Sequence, residues 1–140
     1  MPKPFIMPKN TAKTQEAYLH DMLEAARLIR GYIAGVTSDG FWDNSEKRDA
    51  VALRLSVIGE SACHVDPSTE AALPGVPFKA IRGLRNRIAH DYGAVDFRIV
   101  WAVTQAEIEP LIAALEGYFG KQRPPTEPSD MSPRQPRSDR

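Results

Sequence analysis

Four side chains in one short segment are of the types that phosphodiester cleavage requires. They are Arg85, Asn86, His90 and Tyr92. Cleavage by an internal 2′-hydroxyl needs a group that moves protons near neutral pH, and histidine has an ordinary pKa of about 6.5. It also needs a fixed cation, and the planar guanidinium of arginine holds two phosphate oxygens at once. We therefore predict Arg85 and His90 as the catalytic pair, with Asn86 orienting the phosphate and Tyr92 adding a hydroxyl.

The segment around this pair is basic, although most of the chain is acidic. Residues 79–98 contain five bases and two acids, whereas residues 15–120 contain ten bases and fifteen acids. This distribution predicts a selective anion site and argues against general binding of polyanions. The flanking bases predicted to contact nucleic-acid phosphates are Lys79, Arg82 and Arg87. The alternative interpretation of the charge cluster is a solvated helix face.

The spacing of Arg85 and His90 does not suit one regular helix. Five residues rotate the chain by about 140°, whereas Arg85 and Tyr92, seven residues apart, lie nearly in line. Either the helix loosens before His90, as Gly93 allows, or a second subunit completes the site. We favour a site shared at the two-fold interface of a homodimer.

The other reactive residue types offer no second site. Cys63 is the only cysteine, and we expect a buried, small apolar residue rather than a nucleophile. His20 and His64 are isolated, which favours surface or packing roles. Glu60 lies in an apolar stretch, where a buried acid needs a partner across a dimer or on the active-site arginine. No metal site and no cofactor are expected.

Helical periodicity runs through the chain, and no strand-length alternation interrupts it. The first helix is predicted over about residues 14–34. Asp43 is predicted to cap a second helix that ends near Val65. Apolar residues of that helix follow a 4-3-4-3 spacing, the pattern of an antiparallel or intersubunit packing face; they are Val51, Leu55, Ile58, Ala62 and Val65.

The second half of the chain contains two further predicted helices. Residues 66–77 are predicted to form a loop, with Pro77 as the first residue of a third helix that Gly93 interrupts. Asp96 is predicted to cap the fourth helix, and Pro110 predicts a kink or a break within it. The predicted fold is an all-α, up-and-down bundle of four or five helices.

Prolines mark the predicted ends of the domain. Eight of the twelve prolines fall in residues 1–13 and 121–140. Proline-rich polar segments lack the apolar surface that could offset the entropy of ordering them, so we predict two disordered tails around one domain, 14–120. The longest apolar runs have five residues, against about 20 for a membrane span. With no signal peptide apparent, we expect a cytoplasmic protein without membrane contact.

The motif Arg85-x4-His90-x-Tyr92, with Asn86 after the arginine, resembles the signature of the HEPN superfamily and in particular its HepT-like toxin family. Four further stretches share the family's order and spacing: Tyr18-Leu19-x-Asp21-Met22-Leu23-x-Ala25, Ile58-Gly59-Glu60-Ser61-Ala62, Pro77-Phe78-Lys79-x-Ile81-x-Gly83-Leu84-Arg85-Asn86 and Val95-Asp96-x-x-Ile99-Val100-Trp101. The resemblance covers about three quarters of the chain. Phe78 and Lys79 replace the family's more usual tryptophan and arginine, and Gly93-Ala94 replaces an aromatic-glycine pair.

The resemblance implies a dimeric, metal-independent endoribonuclease that acts as the toxin of a toxin–antitoxin pair. Its partner would be a small nucleotidyltransferase antitoxin that attaches AMP to the motif tyrosine. Carried over to this chain, Arg85 and His90 are the catalytic pair, Asn86 assists, and Tyr92 accepts the AMP.

Two other functions remain open at the level of sequence. In one, the same surface is a non-catalytic module that binds nucleotide or RNA for a nucleotidyltransferase partner. In the other, the chain is a structural, dimerising bundle.

Overall fold

A computed structural model describes residues 12–89 and 93–122 of the chain. Four long helices form its framework: α1 (Gln15–Ile33), α3 (Ser45–Cys63), α7 (Phe97–Ala106) and α8 (Ile108–Gln122). Four single-turn helices connect them: α2 (Ser38–Trp42), α4 (Pro67–Ala71), α5 (Phe78–Arg82) and α6 (Leu84–Ile88). Within the described ranges the only β-type pairing is an isolated bridge between Ala89 and Val95. The predicted all-α class is therefore confirmed.

The core forms where α1 packs against α3 and α8. Most apolar residues of α1 are buried, and the largest of them, Leu19, Met22 and Ile29, are completely inaccessible to solvent. The five residues of the 4-3-4-3 seam, 51, 55, 58, 62 and 65, are also buried in this core. The seam therefore packs within one chain, and it gives no support to an intersubunit face.

The linkers contain more structure than the sequence predicted. Residues 37–45 include α2, and the predicted loop 66–77 includes α4, which begins with Pro67 and is capped by Asp66. The prediction that Asp43 caps the next helix is wrong. Asn44 is the N-cap, and its Oδ1 accepts a hydrogen bond from the Lys47 N–H at 3.0 Å. Asp43 instead ends α2.

The predicted third helix is two short helices. It breaks at Gly83 and ends at Ile88, so the interruption predicted at Gly93 is wrong. Glycine is a poor residue for a helix interior, which accounts for the break at Gly83. Ala89 already has extended backbone, with φ −79° and ψ 136°.

Both predictions for the last helical segment are confirmed. Asp96 caps α7, and its Oδ1 accepts a hydrogen bond from the Arg98 N–H at 3.0 Å. The break predicted near Pro110 lies at Glu107, between α7 and α8. Pro110 is then the third residue of α8, where a backbone N–H has no acceptor within the helix.

The predicted tails lie largely outside the described residues. Helix α8 continues through Lys121 and Gln122, two residues into the segment assigned to the C-terminal tail. No helix in residues 12–89 or 93–122 is long and apolar enough to span a bilayer.

Candidate active site

Helix α6 presents the first half of the motif to solvent. Leu84 and Ile88 are buried at its two ends, whereas Arg85 and Asn86 are exposed between them. A helix of one turn has little stability of its own, so these two apolar anchors hold it on the domain. The two polar side chains are thus displayed on an element whose position is set by the core.

Gly59 allows α5 and α6 to approach α3 closely. A Cβ at this position would lie 3.3 Å from the carbonyl oxygen of Ile81 and 3.7 Å from the Cβ of Leu84. The first distance is shorter than an ordinary van der Waals contact, so a side chain here would push α5 and α6 away. Gly59 lies in one of the stretches that resemble the family, but no pattern in the sequence predicted this positioning role.

The second half of the motif follows α6 in a segment whose ends are held together. His90 and Tyr92 lie outside the described residues. On either side of them, Ala89 pairs with Val95, and the Asp96 N–H donates a 2.6 Å hydrogen bond to the carbonyl oxygen of Ile88. The residue that precedes His90 in the sequence is therefore held against the start of α7.

The position at which α6 ends bears on the predicted arrangement of Arg85, His90 and Tyr92. The inference that Arg85 and Tyr92 are aligned on one helix is wrong, because the helix stops at Ile88. The alternative, that the helix ends before His90, is what the backbone shows. Gly93 stands at the other side of the segment with φ +80°, a conformation that favours glycine.

Arg85 faces a surface depression between the start of α1 and the middle of α3, here called the Arg85 depression. Its lining residues are Lys13, Asp21, Ser56, Val57, Glu60, Ser61 and Arg85. The Lys13 Nζ donates a 2.6 Å hydrogen bond to the Asp21 carboxylate. This hydrogen bond and the charge of Asp21 raise the pKa of Lys13. The Asp21 charge is therefore largely balanced by Lys13.

Glu60 and Cys63 both differ from expectation. We predicted a buried acid and a buried thiol, but Glu60 and Cys63 are exposed on the outer face of α3. Glu60 lies 3.7 Å from the ring of His64. That ring stacks on Tyr18 with 4.7 Å between centroids, and His20 stacks on Phe119 at 3.9 Å. The two histidines outside the motif thus have packing contacts.

The flanking cations differ in how they are paired. Arg82 contacts Glu70 at 3.0 Å, and Arg87 contacts both carboxylate oxygens of Glu107 at 3.2 Å. Lys79 is exposed and makes no salt bridge with any described residue. Whether these three side chains contact RNA stays a prediction. In residues 12–89 and 93–122 there is also no group of three or more His, Cys, Asp or Glu that could hold a metal ion.

Comparison with known proteins shows which family this chain resembles. The family model described as "Ribonuclease HepT-like" matches residues 22–117. A Methanocaldococcus jannaschii protein named "Putative RNase MJ1216" is 31% identical over 118 residues, covering 79% of this chain and 95% of that protein. A Thermococcus cleftensis protein named "Probable ribonuclease HepT" is 26% identical over 111 residues, covering 79% of this chain and 97% of that protein. No solved structure matches the chain. The family match covers more than half of the sequence and includes α3, α6 and the motif segment, and the chain belongs to the HepT-like ribonuclease family.

Proposed function

We propose that this protein is a metal-independent endoribonuclease and the toxin of a cytoplasmic toxin–antitoxin pair. The observation that carries the proposal is the exposed Arg85 and Asn86 on α6, followed directly by the closed segment that contains His90. The family membership and the ribonuclease names of the relatives support RNA as the substrate.

In the proposed reaction, the RNA 2′-hydroxyl attacks the adjacent phosphorus. His90 takes the proton from the 2′-hydroxyl and passes it to the departing 5′-oxygen, and Arg85 binds the two non-bridging oxygens as negative charge develops on them. Asn86, the next residue on the same exposed turn, orients the phosphate. The bond from phosphorus to the 5′-oxygen breaks, leaving a 2′,3′-cyclic phosphate and a free 5′-hydroxyl. Lys79, Arg82 and Arg87 would hold the flanking phosphates, although Arg82 and Arg87 must first exchange their carboxylate partners.

We also propose that the active form is a homodimer with the motif segments at its two-fold interface. The resemblance to the dimeric HepT-like toxins supports this assembly. Leu53 on α3, Val95 at the base of the motif loop and Ile99 on α7 are exposed large apolar residues, which a partner chain would cover. A solution mass of about twice 15.5 kDa is expected. A monomer that cleaves RNA would contradict the shared site.

The proposed antitoxin is a nucleotidyltransferase that transfers AMP from ATP to the hydroxyl of Tyr92, with loss of the phenol proton and release of pyrophosphate. The support for this step is the match of Tyr92 to the tyrosine of the family motif. A bulky, negatively charged group on this residue would compete with the RNA phosphate for Arg85.

Cleavage of total RNA by the purified chain tests the proposal. We expect wild type to cleave in the presence of EDTA and His90→Ala to lose at least about 100-fold in rate. His20→Ala is the matched control, because the ring of His20 stacks on Phe119 and lies outside the motif. Cleavage that requires Mg²⁺, or full activity of His90→Ala, would contradict the proposed mechanism. RNA binding without any cleavage by wild type would indicate the non-catalytic module instead.

A further inference from the structure

Arg48, near the start of α3, is held by aromatic rings and not by an acid. The carbon of its guanidinium group lies 4.9 Å from the centre of the Phe97 ring and 5.5 Å from the centre of the Trp42 ring. The side chain forms no salt bridge with any described residue. A flat, weakly hydrated guanidinium group suits contact with aromatic rings. The two rings therefore fix the position of a positive charge that no described carboxylate contacts.

The same side chain has a buried donor without a partner. In residues 12–89 and 93–122, the Arg48 Nε is the only buried side-chain nitrogen or oxygen that makes no hydrogen bond. A buried donor of this kind costs free energy and calls for an explanation. Methionine at this position could cover the same rings without burying a donor. Packing alone thus gives no reason for an arginine at position 48, whereas a ligand for its charge would.

Arg48 lies beside the base of the loop that contains His90. Phe97, one of its two rings, directly follows Asp96, whose N–H donates to the carbonyl oxygen of Ile88. Val95, on the other side of Asp96, pairs with Ala89. The residues that close the loop and the ring that contacts Arg48 are therefore consecutive in the chain.

Helix α3 carries Arg48 and the contact with α6 on one face. Arg48 and Gly59 are eleven residues apart, so they lie within about 20° of each other around the helix and about 17 Å apart along it. Gly59 approaches Leu84, the residue before Arg85. The loop from the end of α6 to the start of α7 thus connects the two ends of this stretch of α3, and an RNA strand that passes from Arg85 along the loop reaches Arg48.

We propose that Arg48 binds a backbone phosphate of the RNA substrate next to the loop that contains His90. This inference rests on the proposed ribonuclease function, which supplies the polyanion. The guanidinium fork can bind two phosphate oxygens, and its contacts with Trp42 and Phe97 reduce the freedom that it loses on binding. The phosphate at Arg48 is not the one that is cleaved at Arg85. Arg48 takes no part in proton transfer, and the two rings are positioning residues.

RNA binding at several salt concentrations tests this phosphate contact. The protein is the full-length His90→Ala chain, which avoids turnover, and the probe is a ten-nucleotide uridine strand with a fluorescent 5′ label. In this background, Arg48→Met should weaken binding on the order of tenfold at low salt, as loss of a charge-assisted hydrogen bond does. It should also reduce the dependence of log affinity on log salt by about 0.7–1 unit, the effect of one lost phosphate contact.

Two further variants test whether the position of the charge matters. Arg54 is partly buried on α3 like Arg48 and points about 120° away from it around the helix. Arg54→Met removes the same charge and should keep the affinity within about twofold. Trp42→Ala keeps the Arg48 charge but removes one ring, so it should weaken binding by less than Arg48→Met and leave the salt dependence unchanged. Circular dichroism of each variant verifies that the helices are intact.

The outcomes distinguish this inference from the proposed function. Unchanged affinity and salt dependence in Arg48→Met overturn the phosphate contact. The same losses in Arg54→Met also overturn it, since net charge and not a site would then attract the RNA. A solution mass that falls to about 15.5 kDa in Arg48→Met, with unchanged salt dependence, assigns the arginine to a carboxylate of a second copy instead.

Cleavage by the wild type completes the comparison. If the wild type cleaves no RNA but the salt dependence of binding requires Arg48, the ribonuclease proposal fails and the phosphate contact stands. If the wild type cleaves RNA and Arg48→Met binds the uridine strand as tightly as its parent, the phosphate contact fails and the ribonuclease proposal stands.

Discussion

The backbone N–H of Asp96 donates a 2.6 Å hydrogen bond to the carbonyl oxygen of Ile88, and this contact joins the end of α6 to the start of α7. One residue inward on each strand of the loop, Ala89 pairs with Val95. The two contacts fix both ends of the segment that contains His90 and Tyr92. Because Asp96 is also the N-cap of α7, the same residue closes the loop and begins the next helix.

We predict that Gly93→Ala destabilises this loop. Gly93 has φ +80°, and an L-residue in a left-handed conformation costs about 1–2 kcal/mol. Urea denaturation should show a free energy of unfolding lower by about this amount. Gly117→Ala is the control, because Gly117 lies within α8 and the added methyl group would have no atom of another element within 4 Å. It should be neutral or stabilising by up to about 1 kcal/mol. Equal effects of the two substitutions would mean that the backbone at Gly93 is not strained by a side chain.

A second prediction concerns the contact between α3 and α5. Gly59→Ala would place a methyl group 3.3 Å from the Ile81 carbonyl oxygen, so the helices must move apart. We expect a loss of about 1–3 kcal/mol in the free energy of unfolding, the usual range for overpacking. RNA cleavage should fall as well, since α6 carries Arg85.

Gly31→Ala provides the comparison for this prediction. Gly31 lies in α1 with no neighbour within 4 Å of the added methyl group. Here the alanine should raise the free energy of unfolding by about 0.5–1 kcal/mol, because alanine is the better helix former. A stabilising effect at both positions would show that α5 adjusts without cost.

The long helices could be predicted from the sequence, but the close packing at Gly59 could not. Repeating apolar spacing predicted the long helices, because a buried stripe must recur every three or four residues. It could not predict that Gly59 marks a close approach, since the neighbouring atom comes from Ile81, which is distant along the chain. The short helices α2 and α4 were missed for a related reason. Five residues carry too few apolar positions to define a period, and only their caps, Thr37 and Asp66, give a local signal.

In the candidate site, too, the residue types could be predicted from the sequence, but the contacts between distant residues could not. The types of Arg85 and Asn86 were read directly from the sequence, and both are exposed as a phosphate ligand requires. The partners of Arg82 and Arg87 were not predicted, because Glu70 on α4 and Glu107 between α7 and α8 reach them only after the helices have packed. A count of charges does not distinguish basic side chains that form salt bridges from those that do not. Arg82 and Arg87 form salt bridges, whereas Lys79 forms none with any described residue.

The difference in pairing leads to a third prediction. Lys79→Gln should weaken RNA binding about equally for all sequences and reduce the dependence of log affinity on log salt by about one unit, as expected for one lost phosphate contact. Arg82→Gln should change the salt dependence less. It should instead lower stability, because Glu70 would lose its partner between α4 and α5. Titrations at several salt concentrations, with denaturation of the same variants, measure both effects. A larger salt effect for Arg82→Gln than for Lys79→Gln would contradict this assignment.

A fourth prediction tests the guanidinium of Arg85. Lysine keeps the positive charge but cannot bind two phosphate oxygens through a planar fork. We expect Arg85→Ala to lower cleavage by about 100-fold or more, and Arg85→Lys to recover little of it. The side chain is exposed, so neither substitution should change thermal stability much. Single-turnover cleavage rates at saturating RNA measure the effect. Near-complete rescue by lysine would mean that a point charge is sufficient.

The last prediction concerns regulation through Tyr92. Tyr92 is the third residue after Ala89 in the sequence. Ala89 in turn follows α6 directly. An AMP group on the phenol would therefore bring its phosphate close to the surface that presents Arg85, and it would compete there with the RNA backbone. Co-expression with the cognate nucleotidyltransferase should add about 329 Da per AMP to the chain, a covalent change that mass spectrometry detects. The modified protein should no longer cleave RNA. Tyr92→Phe should keep RNase activity, since His90 moves the proton, and should resist modification. If Tyr92→Phe still gains AMP and loses activity, another residue is the acceptor and the role of Tyr92 is refuted, whereas the roles of Arg85 and His90 are unaffected.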